Sequence, residues 1–205
     1  MKINIKTFLA VGLIGLTSAC SDLDVDVNSY YTSYPSSDIA IAAKMADIYH
    51  SFAGPLNRRY DEAQSLSSDE YVGLSFSGNY IDAHTYSNMS LHLFSPDDAS
   101  TGYYEELASG ISKANQIIVD LGGDDAKPNV IAPARAMRAF FHFILMDSYG
   151  DIPVLDHLAE DNEVIARQPR ADVAKFIEKE LLAIIPYLPS DNTQITYGKP
   201  TKWMA

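Results

Sequence analysis

The sequence predicts an all-α protein built as a stack of helical hairpins with long irregular loops. Two observations lead to this fold class. Apolar residues recur at helical spacing in several separate segments of the chain. Short connections containing Gly or Pro separate these segments, and such connections place consecutive helices side by side. No sequence repeat is strong enough to define a repeat length.

The first half of the chain combines one clear helix with one long loop. Residues 35–38 are a helix start signal, and apolar residues follow at helical spacing until Gly54, next to a proline, ends the pattern. Residues 56–72 are a weaker helical candidate. Residues 73–94 are polar, aromatic and rich in Ser, Asn and Gly, which predicts a loop. Loops of this length in compact domains are often functional.

The second half contains stronger helical patterns. A helix is predicted between the start signal at residues 95–98 and the end signal at Gly122. Residues 132–149 form the most hydrophobic helix, which has almost no polar face and is therefore expected in the core. Residues 169–185 are amphipathic, and residues 198–205 have the pattern of a further helix start. The side chains expected to be largely buried in the core helix include Phe140, Phe143 and Leu145.

The first twenty residues are organised like a bacterial export signal. Lys2 and Lys6 precede an apolar run of nine residues, which is too short to cross a membrane, and small residues follow it. Cys20 comes next and is the only cysteine. These residues resemble a bacterial lipobox, so Cys20 is predicted to carry a lipid such as palmitate. The alternative is an ordinary signal peptide in which this cysteine has no role.

The acidic stretch after Cys20 completes the predicted N-terminal organisation. Residues 1–19 are the signal peptide, and residues 20–34 are a flexible acidic tether. The acidic residues resemble the surface-export signal of lipoproteins in the Bacteroides group, although a solvated tether would have the same composition. The helical domain begins at residue 35.

The net charge excludes several kinds of partner. The chain carries 27 acidic and 15 basic residues, a formal charge of −12, and removal of residues 1–19 with their two lysines makes it about −14. This sign argues against nucleic acid and against direct adsorption to anionic lipid, so membrane contact is expected only through the lipid anchor. The sequence contains no metal-binding cluster, phosphate-binding loop or nucleophile elbow, and no cofactor is predicted.

Residues of the core helix and of the segments after it resemble the SusD/RagB family. The resemblance rests on the order of these segments together with the lipoprotein start, and the family commonly has other residues at Tyr104, Ala108 and Pro133. The matching segments are Ala134-Arg135, residues 138–141, Phe143, residues 149–153, Pro169-Arg170, Phe176-Ile177, Glu180-Leu181, Leu188-Pro189 and residues 198–201.

This resemblance implies a surface-exposed, glycan-binding lipoprotein of the outer membrane. Such a protein covers a SusC-type TonB-dependent transporter and delivers oligosaccharide to it. The implied fold is a right-handed stack of helical hairpins related to tetratricopeptide repeats. Family members are much longer, so residues 35–205 are expected to be the N-terminal part of a domain that is incomplete at its C-terminus.

The loop at residues 73–94 supplies the candidate glycan site. Sugar recognition needs flat apolar faces together with amide, hydroxyl or imidazole groups. The residues with these properties are Asn79, Tyr80, His84, Tyr86 and Asn88. An acidic chain would repel anionic glycans, which favours a neutral oligosaccharide or polysaccharide. The alternative is a polar surface loop held down by its aromatic residues.

No catalytic residue is predicted, and the protein is not expected to be an enzyme. Neighbouring carboxylates such as Glu105 and Glu106 point apart on a helix, whereas glycoside hydrolysis needs two carboxyls facing each other. Arg135 and Arg138 are expected to bind carboxylates or helix-end carbonyls, with Asp147 and Asp151 as candidate partners, and His142 is expected to be a packed core residue. The second functional hypothesis is a helical-repeat lipoprotein that acts as an envelope assembly scaffold without a sugar ligand.

Overall fold

A computed structural model describes residues 37–68, 70–73, 85–95, 103–191 and 198–205. The predicted signal peptide, the tether and Cys20 lie outside the described residues.

The N-terminal helix ends at the predicted residue, and a helical turn of a different kind follows it directly. Helix α1 spans Asp38–Gly54, and the Ser37 hydroxyl caps it by accepting a hydrogen bond from the amide of Ala40 at 3.3 Å. A π-helical turn, Pro55–Arg59, leads directly into α2, Tyr60–Ser67. The α-helix therefore ends at Gly54 as predicted, but the chain stays helical beyond this residue. Proline, which has no N–H to donate, stands at the first position of this wider turn.

The predicted loop contains a short helix, and the next long helix ends as expected. Helix α3 spans Thr85–Ser90, within the segment predicted to be irregular. Helix α4 spans Tyr104–Asp120, whereas residues 96–102, which include most of its predicted start signal, lie outside the described residues. The end signal is confirmed, because Gly122 has a left-handed backbone with φ of 114°, a conformation that favours glycine.

The core helix is longer than predicted and leads into a small hairpin. Helix α5 spans Pro128–Tyr149 and ends at Gly150, whose φ is 76°. Strands β1, Ile152–Pro153, and β2, Arg167–Gln168, pair antiparallel, with Ile152 opposite Gln168. Two-residue strands are too short to show an alternating pattern, and the sequence did not predict them.

The last long helix, α6, spans Arg170–Ile184 and is followed by a 3₁₀ turn, Ile185–Tyr187. The helices pack as consecutive layers, with α1 against α4, α4 against α5 and α5 against α6. The described residues are mostly helical, which confirms the all-α fold class. Side chains from all four helices meet in one core, whose most deeply buried members include Ile48, Leu107, Ile111, Phe141, Ile144 and Val173.

Two of the three α5 side chains expected in the core are not fully buried. Phe140 is only partly buried and packs against the core. Leu145 is buried as predicted, but Phe143 is 42% exposed, and the fully buried phenylalanine is Phe141. Phe141 lies over Gly110 of α4, where a Cβ would be only 2.6 Å from its ring. The close approach of the two helices at this glycine turns Phe141 inward and Phe143 away from α4.

Candidate functional site

Helix α3 holds the two predicted site residues that the structure describes. Tyr86 and Asn88 are both half-buried on this helix. The hydroxyl of Tyr86 donates a hydrogen bond to Oε1 of Glu62 on α2 at 3.1 Å, and Nε of Arg58 lies 3.3 Å from the same oxygen. The hydroxyl of Tyr86 is therefore tied to α2. The other predicted residues, Asn79, Tyr80 and His84, lie outside the described part of the chain.

The segment before the loop packs closely on α3. The amide of Gly73 donates to the hydroxyl of Ser90 at 3.0 Å. A Cβ on Gly73 would lie 2.4 Å from the carbonyl carbon of Tyr86, a distance that no ordinary contact allows. Only glycine can occupy this position without moving the segment, so the position of residues 70–73 is fixed relative to α3.

The segment after α3 is also held in place. Met89 is completely buried and anchors the helix. The amide of Leu93 donates to the carbonyl of Asn88 at 2.7 Å. Nε2 of His92 lies 2.9 Å from the carbonyl oxygen of Ser67 at the end of α2, so this nitrogen must carry the proton. The backbone of His92 is left-handed, with φ of 56°, and its ring stacks on Phe94 with centroids 6.1 Å apart.

Large apolar side chains project into solvent from both of these fixed segments. Tyr71 is 61% exposed on the first segment, and Phe94 is 53% exposed on the second. Their exposed aliphatic neighbours are Val72, Leu91 and Leu93. Apolar side chains exposed on two neighbouring segments favour contact with a ligand or partner. We call these five residues the exposed apolar surface.

Sequence reasoning did not select any of these five residues. It selected residues for the combination of aromatic and amide groups in the middle of the loop, and the exposed residues lie at its two ends. The available signal was the presence of large apolar residues in an otherwise polar segment. Exposure itself depends on how α2 and α3 pack, and no spacing pattern encodes it.

The polar residues of α5 have a structural role. Arg138 is buried, and its guanidinium donates to Asn115 at 2.7 Å, to the carbonyl of Asp156 at 2.6 Å and to Glu180 at 2.5 Å. Arg135 donates to both oxygens of Glu180. Burial alone would raise the pKa of Glu180, but the hydrogen bonds and charges of the two arginines lower it.

This network confirms that the arginines bind carboxylates, and it identifies a partner that sequence reasoning missed. Asp147 and Asp151 were the natural candidates, because they are near in sequence. Asp147 instead accepts from Tyr60 at 2.8 Å, and Asp151 accepts from the amide of Arg170 at 2.9 Å. His142 is confirmed as a packed residue, and burial lowers its pKa to about 4.

Concave surfaces also lie elsewhere on the described part of the chain. A polar cleft of about 440 Å³ lies between α1 and α4, and Lys113 at its edge is paired with Asp47 and Ser51, each at 3.0 Å. An apolar cavity of about 200 Å³ lies between α5, α6 and residues 200–205. Phe143 lines the second cavity, which explains its partial exposure.

Within the described ranges, no cluster of His, Cys, Asp or Glu side chains has the arrangement needed to hold a metal ion. Among the helices that the structure describes, none has the length and apolarity required to cross a membrane.

A family model described as starch-binding and associated with the outer membrane matches residues 23–205, nearly the whole chain. The chain belongs to the SusD-like family. Its structural neighbours carry the same fold at low sequence identity. A laminarin-binding SusD-like protein superposes with a TM-score of 0.68 and 18% identity, over 80% of this chain and 37% of the other. No curated protein matches the sequence significantly.

Two further SusD-like structures have the same fold at similarly low sequence identity. One from Bacteroides fragilis has a TM-score of 0.67 and 19% identity over 84% of this chain and 34% of its own length. One from Bacteroides vulgatus has a TM-score of 0.66 and 16% identity over 83% of this chain and 38% of its own length. The chain thus spans little more than a third of the structures that it matches.

Proposed function

We propose that this chain is the N-terminal part of a surface-exposed, glycan-binding lipoprotein that delivers oligosaccharide to a SusC-like TonB-dependent transporter. Family membership supports carbohydrate binding and outer-membrane association. The observation that carries the proposal for this chain is the exposed apolar surface beside α3, because aromatic rings held on a fixed backbone suit the apolar faces of sugar rings.

The proposed ligand is a neutral glycan. The acidic mature chain repels anionic polymers at long range, whereas uncharged hydroxyl groups need only hydrogen-bonding partners. Tyr86 and Asn88 would provide such partners next to the apolar surface, together with Asn79, Tyr80 and His84 of the loop. The protein binds its ligand without converting it, and no enzyme activity is proposed.

The anchoring proposal follows the N-terminal sequence. Residues 1–19 are removed as a signal peptide, Cys20 carries the lipid, and residues 20–34 connect it to the helical domain. The lipid is the only membrane contact, and the domain faces the exterior of the cell. In this position the domain can pass a captured oligosaccharide directly to the transporter.

Calorimetric titration of the whole protein with laminarin and with soluble starch tests the glycan proposal. Phe94→Ala and Tyr86→Ala should each weaken binding by roughly 1 to 3 kcal/mol, the scale of one large side-chain contact. Tyr187→Ala is a matched control, because this tyrosine is 47% exposed on a different part of the molecule. It should leave the affinity unchanged.

The outcomes distinguish a wrong assignment of the binding site from a wrong assignment of the function. If the wild type binds a glycan and both loop variants bind it as tightly, the site lies elsewhere. If the wild type binds neither these probes nor other neutral glycans on an array, glycan capture is refuted. The exposed apolar surface would then favour the alternative, a helical lipoprotein that serves as an envelope assembly scaffold.

A further inference from the structure

Side chains from α4 and α5 hold the backbone that follows β1. Nδ2 of Asn115 donates to the carbonyls of Leu155 and His157 at 3.2 and 2.6 Å, and Arg138 donates to the carbonyl of Asp156 between them. The amide of Leu155 in turn donates to Nε2 of His142 at 3.1 Å. Residues 155–157 therefore use side chains as the hydrogen-bonding partners that a neighbouring strand would otherwise supply.

The hydrogen bonds of His142 define its protonation state. Nε2 accepts the amide proton of Leu155, so Nδ1 must carry the ring proton, and it donates to the carbonyl of Arg138 at 2.8 Å. The imidazole is completely buried and its edge faces the ring of Phe176 on α6. A proton on Nε2 would point directly at the amide of Leu155, so the bond between them exists only with neutral histidine.

We propose that the bond from the Leu155 amide to His142 is an acid-sensitive latch, which opens residues 155–157 away from α5 when His142 takes up a proton. Opening gives the ring access to water and removes the conflict between two facing donors. The rest of the helical core stays folded, because it does not depend on this bond.

The charged groups around His142 set the pH range of the latch. The charge of Arg138 on the same helix opposes protonation. The carbonyl of Arg138, Glu180 on α6 and Asp156 beside Leu155 favour it, and Asn115 on α4 is neutral. Burial is the largest influence and lowers the pKa of His142 to about 4 from its usual 6.5. Opening is thus coupled to proton uptake as the pH falls from 6.5 toward 4.

His157 on the same segment acts in the opposite direction. Its Nδ1 and Nε2 lie 2.8 Å from Asp156 and 3.1 Å from Glu163, and these hydrogen bonds raise its pKa. Protonation of His157 therefore favours the closed segment. A His157→Gln background removes this contribution and isolates the effect of His142.

Hydrogen exchange of the Leu155 amide, measured by NMR in the whole protein, tests the latch. In the His157→Gln background, the protection factor of this amide should fall about 20-fold between pH 7 and pH 5, relative to the buried amide of Ile111 on α4. Adding His142→Gln should remove this fall, because the amide oxygen can accept the same bond and does not titrate.

Either of two results would overturn the proposal. One is an equal fall with glutamine at position 142, and the other is no fall in the His157→Gln background. If the glutamine variant does not fold, the ring resonances of His142 give an independent measurement. Titration of this ring near pH 6.5 while the Leu155 amide stays protected would show that protonation does not open the segment.

Discussion

Two phenylalanines on opposite sides of α5, Phe141 and Phe143, should contribute very differently to the free energy of unfolding. Phe141 is fully buried, lies against Gly110, and has its ring centroid 6.2 Å from that of Phe52. Phe143 is 42% exposed, stacks on Phe140 at 6.2 Å and lines an open cavity. The substitutions Phe141→Ala and Phe143→Ala remove the same atoms from the same helix, so their difference isolates the effect of burial.

The expected costs follow from the surroundings of each ring. Phe141→Ala should lower the free energy of unfolding by about 3 to 5 kcal/mol, because it combines lost transfer energy with a cavity. The cavity cannot close easily, since the helices already approach closely at Gly110. Phe143→Ala removes a ring that already contacts water and leaves no enclosed space, so its cost should be about 1 kcal/mol.

Urea unfolding at neutral pH, followed by circular dichroism on the chain without residues 1–19, measures both values. Unchanged m-values would show that the variants unfold from the same structure. Equal costs for the two substitutions, or a larger cost for Phe143→Ala, would refute the assigned orientation of α5.

Three further substitutions test other parts of the molecule. Cys20→Ala should abolish palmitate labelling and release the protein from membranes, and an unlabelled wild type that stays membrane-bound would contradict the anchor. Gly110→Ala should cost roughly 1 to 3 kcal/mol of unfolding free energy by overpacking Phe141, and a neutral effect in urea unfolding would argue against this contact. Glu180→Ala should cost about 3 to 5 kcal/mol, because it leaves two arginines without their carboxylate. Because the pKa of Glu180 is lowered, its stabilising effect is present at neutral pH and lost as the pH falls below 4.5, so the gap between wild type and variant should narrow in acid. A difference in unfolding free energy between wild type and Glu180→Ala that stays constant with pH would contradict the lowered pKa of Glu180.

The sequence predicted those helices whose apolar spacing is sustained over several turns. Helices α1, α4, α5 and α6 all lie where the periodicity places them, and the ends at Gly122 and Gly150 have the positive φ that favours glycine. The first helix also ends at Gly54 as predicted, but the π-helical turn after it was not predicted, because whether a proline interrupts the helical path depends on the hydrogen bonds around it. The π-helical turn accommodates Pro55 within a continuous helical path, and residue preferences alone do not encode such a turn.

The direction of side chains was harder to predict than the helices themselves. Helix α5 is apolar on almost every side. Its sequence therefore has no polar face that would indicate which of Phe141 and Phe143 is buried. The partner of Arg138 is 42 positions away at Glu180, and only the packing of α5 against α6 brings them together. Of the candidate glycan residues, Tyr86 and Asn88 alone fall within the described chain, and their role stays a prediction.

The residues that carry the family resemblance build the scaffold. Arg135, Arg138 and Glu180 join α5 to α6, and Gly150 provides the left-handed turn after α5. Asp151 then accepts a hydrogen bond from the first amide of α6. None of these groups lies on the exposed apolar surface beside α3. The residues behind the resemblance thus position the loops, whereas the proposed glycan preference would depend on loop residues outside that scaffold. Substituting the loop of residues 73–94 should therefore change ligand preference without changing the fold.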